Sequence, residues 1–203
     1  MPRPRAVPQM AGGLPALVAR LFIGIPVLAP RLDEAVAGLR RVAPEARPVP
    51  AAKRHVTLRF LGECDPAAAL GALQGALEGE DPLEGQVEGL GAFPDPRRAR
   101  VAWAGLRAPG LSGLARRVRD ATAALGRRGE PAFTPHVTLA RLPGERDLTA
   151  WCAGVASDTP APWGAFRATA VTLFESVPGA AAYRVLREVP LGLPLGEGAE
   201  GLA

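Results

Sequence analysis

The sequence is poor in several residue types that often identify a site or a cellular compartment. Its 203 residues include two cysteines, two histidines, one lysine and one tyrosine. Cys64 and Cys152 are too few for a disulfide framework, and they lack the CxxC spacing of zinc and redox sites. No apolar run approaches the roughly 20 residues of a membrane span, and no signal-peptide core is recognisable. We therefore expect a cytoplasmic protein with reduced cysteines.

Two common catalytic signatures are also missing, because the chain has neither a GxxxxGK[ST] phosphate loop nor a serine-elbow motif. The formal net charge is +4, and almost all of the basic residues are arginine. Arginine suits bidentate recognition of phosphate. The excess of Ala, Gly, Pro and Arg also fits a codon bias, so charge alone gives only weak support for a nucleic-acid partner.

The two histidines share one local sequence. His55 and His136 each begin the tetrapeptide HVTL, and the two copies lie 81 residues apart. Given the first copy, a chance match at the other histidine has a probability of about one in a thousand at ordinary residue frequencies. A fossil internal duplication explains the repeat, but it does not explain why polar His and Thr recur on one face of each strand.

Strand and helix patterns are mixed along the chain, and at least two hairpins indicate antiparallel pairing. This predicts an α+β fold rather than a doubly wound parallel sheet. We predict one domain over 19–190, a loose N-terminal extension over 1–18 and a C-terminal tail over 191–203. The predicted strands are RLFIGIPVL, KRHVTLRFLG, QVEGLGAFP, RVAWAGL, the second HVTL, AFRATAVTLFESV and YRVLREVPL. The predicted helices are RLDEAVAGLRRV, PAAALGALQGAL, LSGLARRVRDATAAL and DLTAWCAGVA.

Side chains at i and i+2 of a strand point to the same face, so each HVTL presents an imidazole beside a hydroxyl. His55 with Thr57, and His136 with Thr138, would supply two proton-transfer groups and two hydrogen-bond donors if the strands face one another. A base for the nucleophile, an acid for the leaving oxygen and donors for phosphoryl oxygens suit metal-free phosphodiester chemistry. The repeat therefore favours a phosphodiesterase.

A metal site is the main alternative from the residues alone. Cys64 follows the first HVTL strand, so a pair with His55 is conceivable. Zinc sites generally require at least three protein ligands, and no further cluster is visible. We expect no metal and no other cofactor.

The chain resembles the two-histidine phosphoesterases, and within them the RNA 2′,3′-cyclic phosphodiesterases, historically named 2′-5′ RNA ligases. The resemblance rests on RLFIGIP, HVTLRFLGE, GAFPDPRRARVAWAGL, FTPHVTLAR and TLFESVPGAAAYRVL, which fall in the family's order from residue 20 to residue 189. It implies two pseudo-symmetric lobes, each with an antiparallel sheet and packed helices, and an active-site groove between them. It also implies hydrolysis of RNA 2′,3′-cyclic phosphates to 2′-phosphates, with reverse 2′-5′ ligation in some members.

By this resemblance His55 is the general acid, His136 the general base, and Thr57 and Thr138 bind phosphate oxygens. Arg141 matches a family arginine near the phosphate or base, although strict alternation turns it away from His136 unless the strand bulges near Leu139. Alternation places Arg59 on the face of His55 instead. Phe22 is a candidate for stacking on a base, with core packing as the alternative.

Three functions remain open at this point. The first is RNA end processing by a monomer that acts on 2′,3′-cyclic phosphate ends, such as those of tRNA fragments. The second is an RNA-end-binding protein without turnover, which would not need a second histidine. The third is a phosphodiesterase for a small nucleotide, such as ADP-ribose cyclic phosphate or 2′-5′ oligoadenylate.

Overall fold

The computed structural model of the protein describes residues 18–125, 132–153, 163–177 and 183–192. The predicted N-terminal extension therefore lies outside the described residues except for Val18. The predicted tail lies outside them except for Leu191 and Gly192, whose amides donate to the carbonyls of Thr169 and Glu80. Across the described ranges, no helix has both the length and the apolar character needed to cross a membrane.

The described strands form a single sheet of nine strands, and every pairing is antiparallel. Its order is β7-β4-β5-β6-β3-β1-β8-β9, with the short β2 beside β6. The strands are β1 (Ala19–Pro26), β2 (Arg47–Pro48), β3 (His55–Cys64), β4 (Leu83–Phe93), β5 (Ala99–Arg107), β6 (His136–Arg146), β7 (Gly164–Ala168), β8 (Ala170–Glu175) and β9 (Arg184–Pro190). The α+β prediction is confirmed.

The two HVTL strands, β3 and β6, lie side by side at the centre of this sheet. They pair only at Val56 and Val137, and their partner strands β1 and β5 continue the sheet outward on either side. Strand–helix–HVTL strand occurs twice, as β1–α1–β3 and β5–α3–β6. The expectation of a separate sheet in each lobe is thus replaced by one continuous sheet with two equivalent halves.

Four described helices cover the sheet: α1 (Leu32–Val42), α2 (Pro66–Leu77), α3 (Leu111–Ala121) and α4 (Thr149–Ala153). The predicted start of α2 is confirmed, because the Asp65 carboxylate accepts a hydrogen bond from the Ala67 amide and Pro66 occupies the first turn. Two of the four described helices pack against the other half of the sheet. Helix α1 contacts β6, whereas α3 packs with α2 and contacts β3.

One predicted strand is two strands in the structure. AFRATAVTLFESV was expected to be continuous, but it divides at Thr169 into β7 and β8. Strand β7 pairs with β4 at one edge of the sheet, and β8 pairs with β1 and β9 near the other edge. The β propensity of the residues is continuous through this segment. The position of the break is therefore determined by the different strands with which β7 and β8 pair.

Each HVTL strand contains a β-bulge at its leucine. Along β3, Thr57 pairs with Gly24 and Arg59 with Ile23, which leaves Leu58 as the extra residue. Along β6, Thr138 pairs with Trp103 and Ala140 with Ala102, which leaves Leu139 extra. Both leucines are buried in the core. A bulge of this kind reverses the alternation of side chains beyond it.

Candidate active site

Both histidines are held by the same local hydrogen bond. The Nδ1 of His55 lies 2.8 Å from the carbonyl oxygen of Lys53, and the Nδ1 of His136 lies 2.7 Å from that of Thr134. A carbonyl only accepts, so Nδ1 carries the hydrogen in both rings. Each Nε2 is therefore left to gain or lose a proton. The two halves of the sheet thus present two imidazoles in the same tautomer.

The surroundings favour the neutral form of both rings. Burial lowers the pKa of His55 and of His136, and the hydrogen bond to a backbone carbonyl only partly opposes it. Positive charge on His136 and on Arg141 lowers the pKa of His55 further. Because Val56 pairs with Val137, His55 and His136 lie on neighbouring strands, one on each side of that pair, although they are distant in sequence.

Thr57 and Thr138 lie two residues beyond their histidines, before the bulges, on the same face of the sheet. Both are half-buried. In the described part of the chain neither hydroxyl has a hydrogen-bond partner, so both are available to a ligand. The structure therefore brings together the four side chains that the repeat singled out.

The bulges decide which arginine reaches this face. Arg59 pairs with the core residue Ile23 and is only 7% exposed, so the expectation that it shares a face with His55 is wrong. Arg141 is exposed, pairs with Val101, and is close enough to lower the pKa of His55. Alternation fails for both residues because each lies beyond an extra leucine.

Aromatic rings surround the first histidine. The ring centroid of Phe22 lies 4.9 Å from that of His55, and those of Tyr183 and Phe174 lie 5.4 and 5.8 Å away. Phe22 is only 3% exposed, which favours the packing alternative over base stacking. Phe60, which pairs with Phe22 across the strands, is 57% exposed. Phe60 is therefore the most exposed of these aromatic residues, and a base can reach it.

Two further aromatic residues, Phe93 and Trp103, flank the second histidine, with ring centroids 4.9 and 5.9 Å from that of His136. Sequence reasoning did not single out either residue, nor Phe60 or Tyr183. One signal was available, since Phe60 follows His55 by five residues just as Arg141 follows His136. The repeat therefore extends beyond HVTL to a pair of equivalent positions with different chemistry.

The geometry does not support a metal site with His55 and Cys64 as ligands. His55 and Cys64 lie at opposite ends of β3, roughly 30 Å apart at the ordinary rise of a strand. Among the residues that the structure describes, no group of three or more His, Cys, Asp or Glu side chains is placed to hold a metal ion. The two imidazoles and two hydroxyls that the structure brings together can transfer protons and form hydrogen bonds to an anion.

Known proteins are similar in sequence to parts of this chain. RNA 2′,3′-cyclic phosphodiesterase of Aeropyrum pernix is 43% identical over 103 residues, which are 47% of this chain and 57% of that protein. The protein of the same name from Archaeoglobus fulgidus is 33% identical over 135 residues, or 61% of this chain and 72% of its own length. The Aeropyrum alignment thus spans little more than half of that relative.

Solved structures are similar over most of the chain. The protein TT0787 of Thermus thermophilus is 27% identical with a TM-score of 0.68, covering 85% of this chain and 97% of that protein. E. coli LigT complexed with 3′-AMP is 28% identical with a TM-score of 0.63, covering 87% and 99%. The model of the 2′-5′ RNA ligase superfamily matches residues 28–179. Because this match covers most of the chain and includes both HVTL strands, the chain belongs to the 2′-5′ RNA ligase superfamily.

Proposed function

We propose that the protein hydrolyses RNA 2′,3′-cyclic phosphate ends to 2′-phosphates by metal-free acid–base catalysis. The observation that carries the proposal is the pair of imidazoles, each with Nδ1 fixed on a carbonyl two residues earlier and Nε2 left for proton transfer. A protein that only captured RNA ends would need donors but not two matched proton-transfer groups. The names of the similar proteins support an RNA 2′,3′-cyclic phosphate as the substrate.

In the proposed reaction His136 accepts a proton from water at Nε2 while the water oxygen bonds to phosphorus. The bond between phosphorus and the 3′ oxygen breaks, and Nε2 of protonated His55 gives its proton to that oxygen. The phosphate then remains on the 2′ oxygen. Base and acid come from opposite halves of the sheet, which suits in-line displacement. A 5′ hydroxyl in place of water would form a 2′-5′ linkage by the same steps.

The remaining groups bind the substrate. Thr57 and Thr138 donate to the non-bridging oxygens, whose charge grows in the transition state. Arg141 adds a fixed positive charge near the phosphate and His55, as its effect on the pKa of His55 indicates. Phe60 and Arg141 occupy equivalent positions in the two halves and are both exposed. An aromatic ring and a guanidinium are the surfaces on which a nucleobase stacks.

A leaving-group substitution tests the roles separately. In a substrate whose 3′ oxygen is replaced by sulfur, the thiolate leaves without needing a proton. His55→Gln should therefore lose most of its defect on this substrate, whereas His136→Gln should remain impaired because water still needs a base. Recovery of the His136 variant instead would reverse the two roles.

Product analysis tests the reaction itself. Phosphorus NMR of the hydrolysed RNA end should show a 2′-phosphate. A predominantly 3′-phosphate product would overturn the assignment of His55 as the acid even if both histidines were essential. Tight binding of cyclic-phosphate RNA with no turnover would favour the end-binding alternative, and turnover of only small nucleotides would favour the third function.

A further inference from the structure

A second arginine lies beside Arg141. The short strand β2 pairs with β6 so that Arg47 is directly opposite Arg141 and Pro48 is opposite Ala140. Side chains of directly opposed residues in an antiparallel pair share a face, with Cβ atoms about 4.5–5.5 Å apart. Arg47 therefore shares the face of Arg141, which the bulge at Leu139 turns toward the histidines.

Burial on one side of Arg47 agrees with this orientation. Ala46, the residue before Arg47, is buried, and Pro48, which is exposed, lies opposite the buried Ala140. Arg47 itself is exposed. The amide of Val49 donates to the carbonyl of Leu139 over 2.7 Å, which fastens β2 to the bulge itself. The same bulge thus positions both Arg141 and the strand that carries Arg47.

Among the residues that the structure describes, the two guanidinium groups have no carboxylate partner. Arg146, further along β6, is paired with Glu45, and Arg100 on β5 is paired with Glu145. Within the described residues neither Arg47 nor Arg141 has such an ion pair. Like charges directly opposite one another destabilise a sheet. A bound anion would remove this repulsion, and the flexible arginine side chains can spread over more than one phosphate.

We infer that Arg47 binds a second phosphate of the substrate, the phosphodiester on the 5′ side of the terminal nucleotide. The inference rests on the proposed function, in which Arg141 lies at the cyclic phosphate. Arg47 lies one strand spacing to the side of Arg141, in a row of the sheet that is several residues along β6 from the rows of His55 and His136. Its ligand is therefore present in an oligonucleotide and absent from a mononucleoside cyclic phosphate. Arg47 would be a specificity residue that favours RNA ends over small nucleotides.

The experiment compares Arg47→Gln with wild type on two substrates. One is a short RNA with a 2′,3′-cyclic phosphate end, and the other is a mononucleoside 2′,3′-cyclic phosphate without a 5′ phosphate. We expect the variant to lose roughly tenfold in kcat/KM on the RNA, mainly through KM, and to keep wild-type values on the mononucleoside. The slope of log KM against log salt should fall by about 0.7 for one lost phosphate contact on a single strand.

Arg187→Gln is the matched control, because Arg187 is also exposed but lies on β9 beside helix α2, on the opposite face of the sheet. This variant removes the same charge, and its kcat/KM should equal that of wild type on both substrates. Arg47→Lys should retain part of the RNA preference, since a point charge still attracts phosphate. Equal losses on both substrates, or no loss on either, would overturn the inference. Wild-type protein inactive on both substrates would instead reject the proposed function.

Discussion

Gly91→Ala is the substitution whose effect follows most directly from the packing beside His136. Gly91 on β4 pairs with Trp103 on β5, and the indole covers the glycine. A Cβ at this position would lie 2.7 Å from Cε2 of Trp103 and closer still to Cζ2 and Cη2. Carbon atoms in contact are about 3.5–4.0 Å apart, so the indole or the strand must move by about 1 Å.

That movement is expected to reach the candidate active site. The ring centroid of Trp103 lies 5.9 Å from that of His136 and 5.3 Å from that of Phe93, and Trp103 pairs with Thr138. Displacement of a catalytic group by about 1 Å can reduce turnover by about 10²-fold. We therefore expect Gly91→Ala to lower kcat/KM by about 10- to 100-fold, and overpacking to lower the free energy of unfolding by about 1–3 kcal/mol.

The assay is hydrolysis of an RNA 2′,3′-cyclic phosphate end, measured beside thermal unfolding of the same samples. Gly75→Ala in α2 is the matched control, because its added methyl group would meet nothing within 4 Å beyond its own stretch of helix, and it should keep full activity. Adding Trp103→Leu to Gly91→Ala should recover part of the lost free energy of unfolding, because the smaller side chain removes the clash. A double-mutant cycle measures this recovery. Wild-type kcat/KM in Gly91→Ala would refute the claim that this packing positions His136.

The remaining predictions concern the catalytic groups. His55→Gln and His136→Gln should each lower kcat on the RNA substrate by roughly 10²- to 10⁴-fold, and near-normal turnover by either would exclude a two-histidine mechanism. Because burial lowers both pKa values, the bell-shaped pH profile of kcat/KM should centre below the ordinary histidine pKa of about 6.5. Arg141→Gln removes a charge that lowers the pKa of His55, so the alkaline limb should move to higher pH; an unmoved limb would place Arg141 away from His55. Excess EDTA should leave the rate unchanged, because the described residues offer no ligand cluster; loss reversed by a divalent ion would contradict this.

The sequence predicted the parts of the site that depend on local periodicity. His and Thr at i and i+2 of each HVTL share a face because the bulge begins only at the following leucine. The sequence predicted the wrong face for Arg59, and it placed Arg141 at the site only if the strand bulged. Both depend on a bulge, which is determined by the neighbouring strand. Nothing in HVTLRFLG shows that Ile23 and Gly24 of β1 would bypass Leu58.

Contacts between strands that are distant in the chain could not be predicted from the sequence either. Phe174 and Tyr183 reach His55 from 119 and 128 residues further along the chain, through pairings that the order of elements does not specify. Arg47 belongs to a strand of only two residues, too short for any periodic signal. Its place opposite Arg141 depends on β6 extending past the start of β3, which leaves the edge of β6 open to β2.

The exchange of helices between the two halves has a consequence for how the chain folds. The halves touch through one strand pair at Val56 and Val137, yet α1 packs beneath β6 and α3 beneath β3. Each half therefore depends on a helix from the other half to cover part of its apolar face, so we expect that the repeat does not separate into two autonomous folding units. We expect unfolding to occur as a single cooperative transition, and folding to be slow because the stabilising contacts are remote in sequence. A groove assembled from both halves then exists only in the fully folded chain.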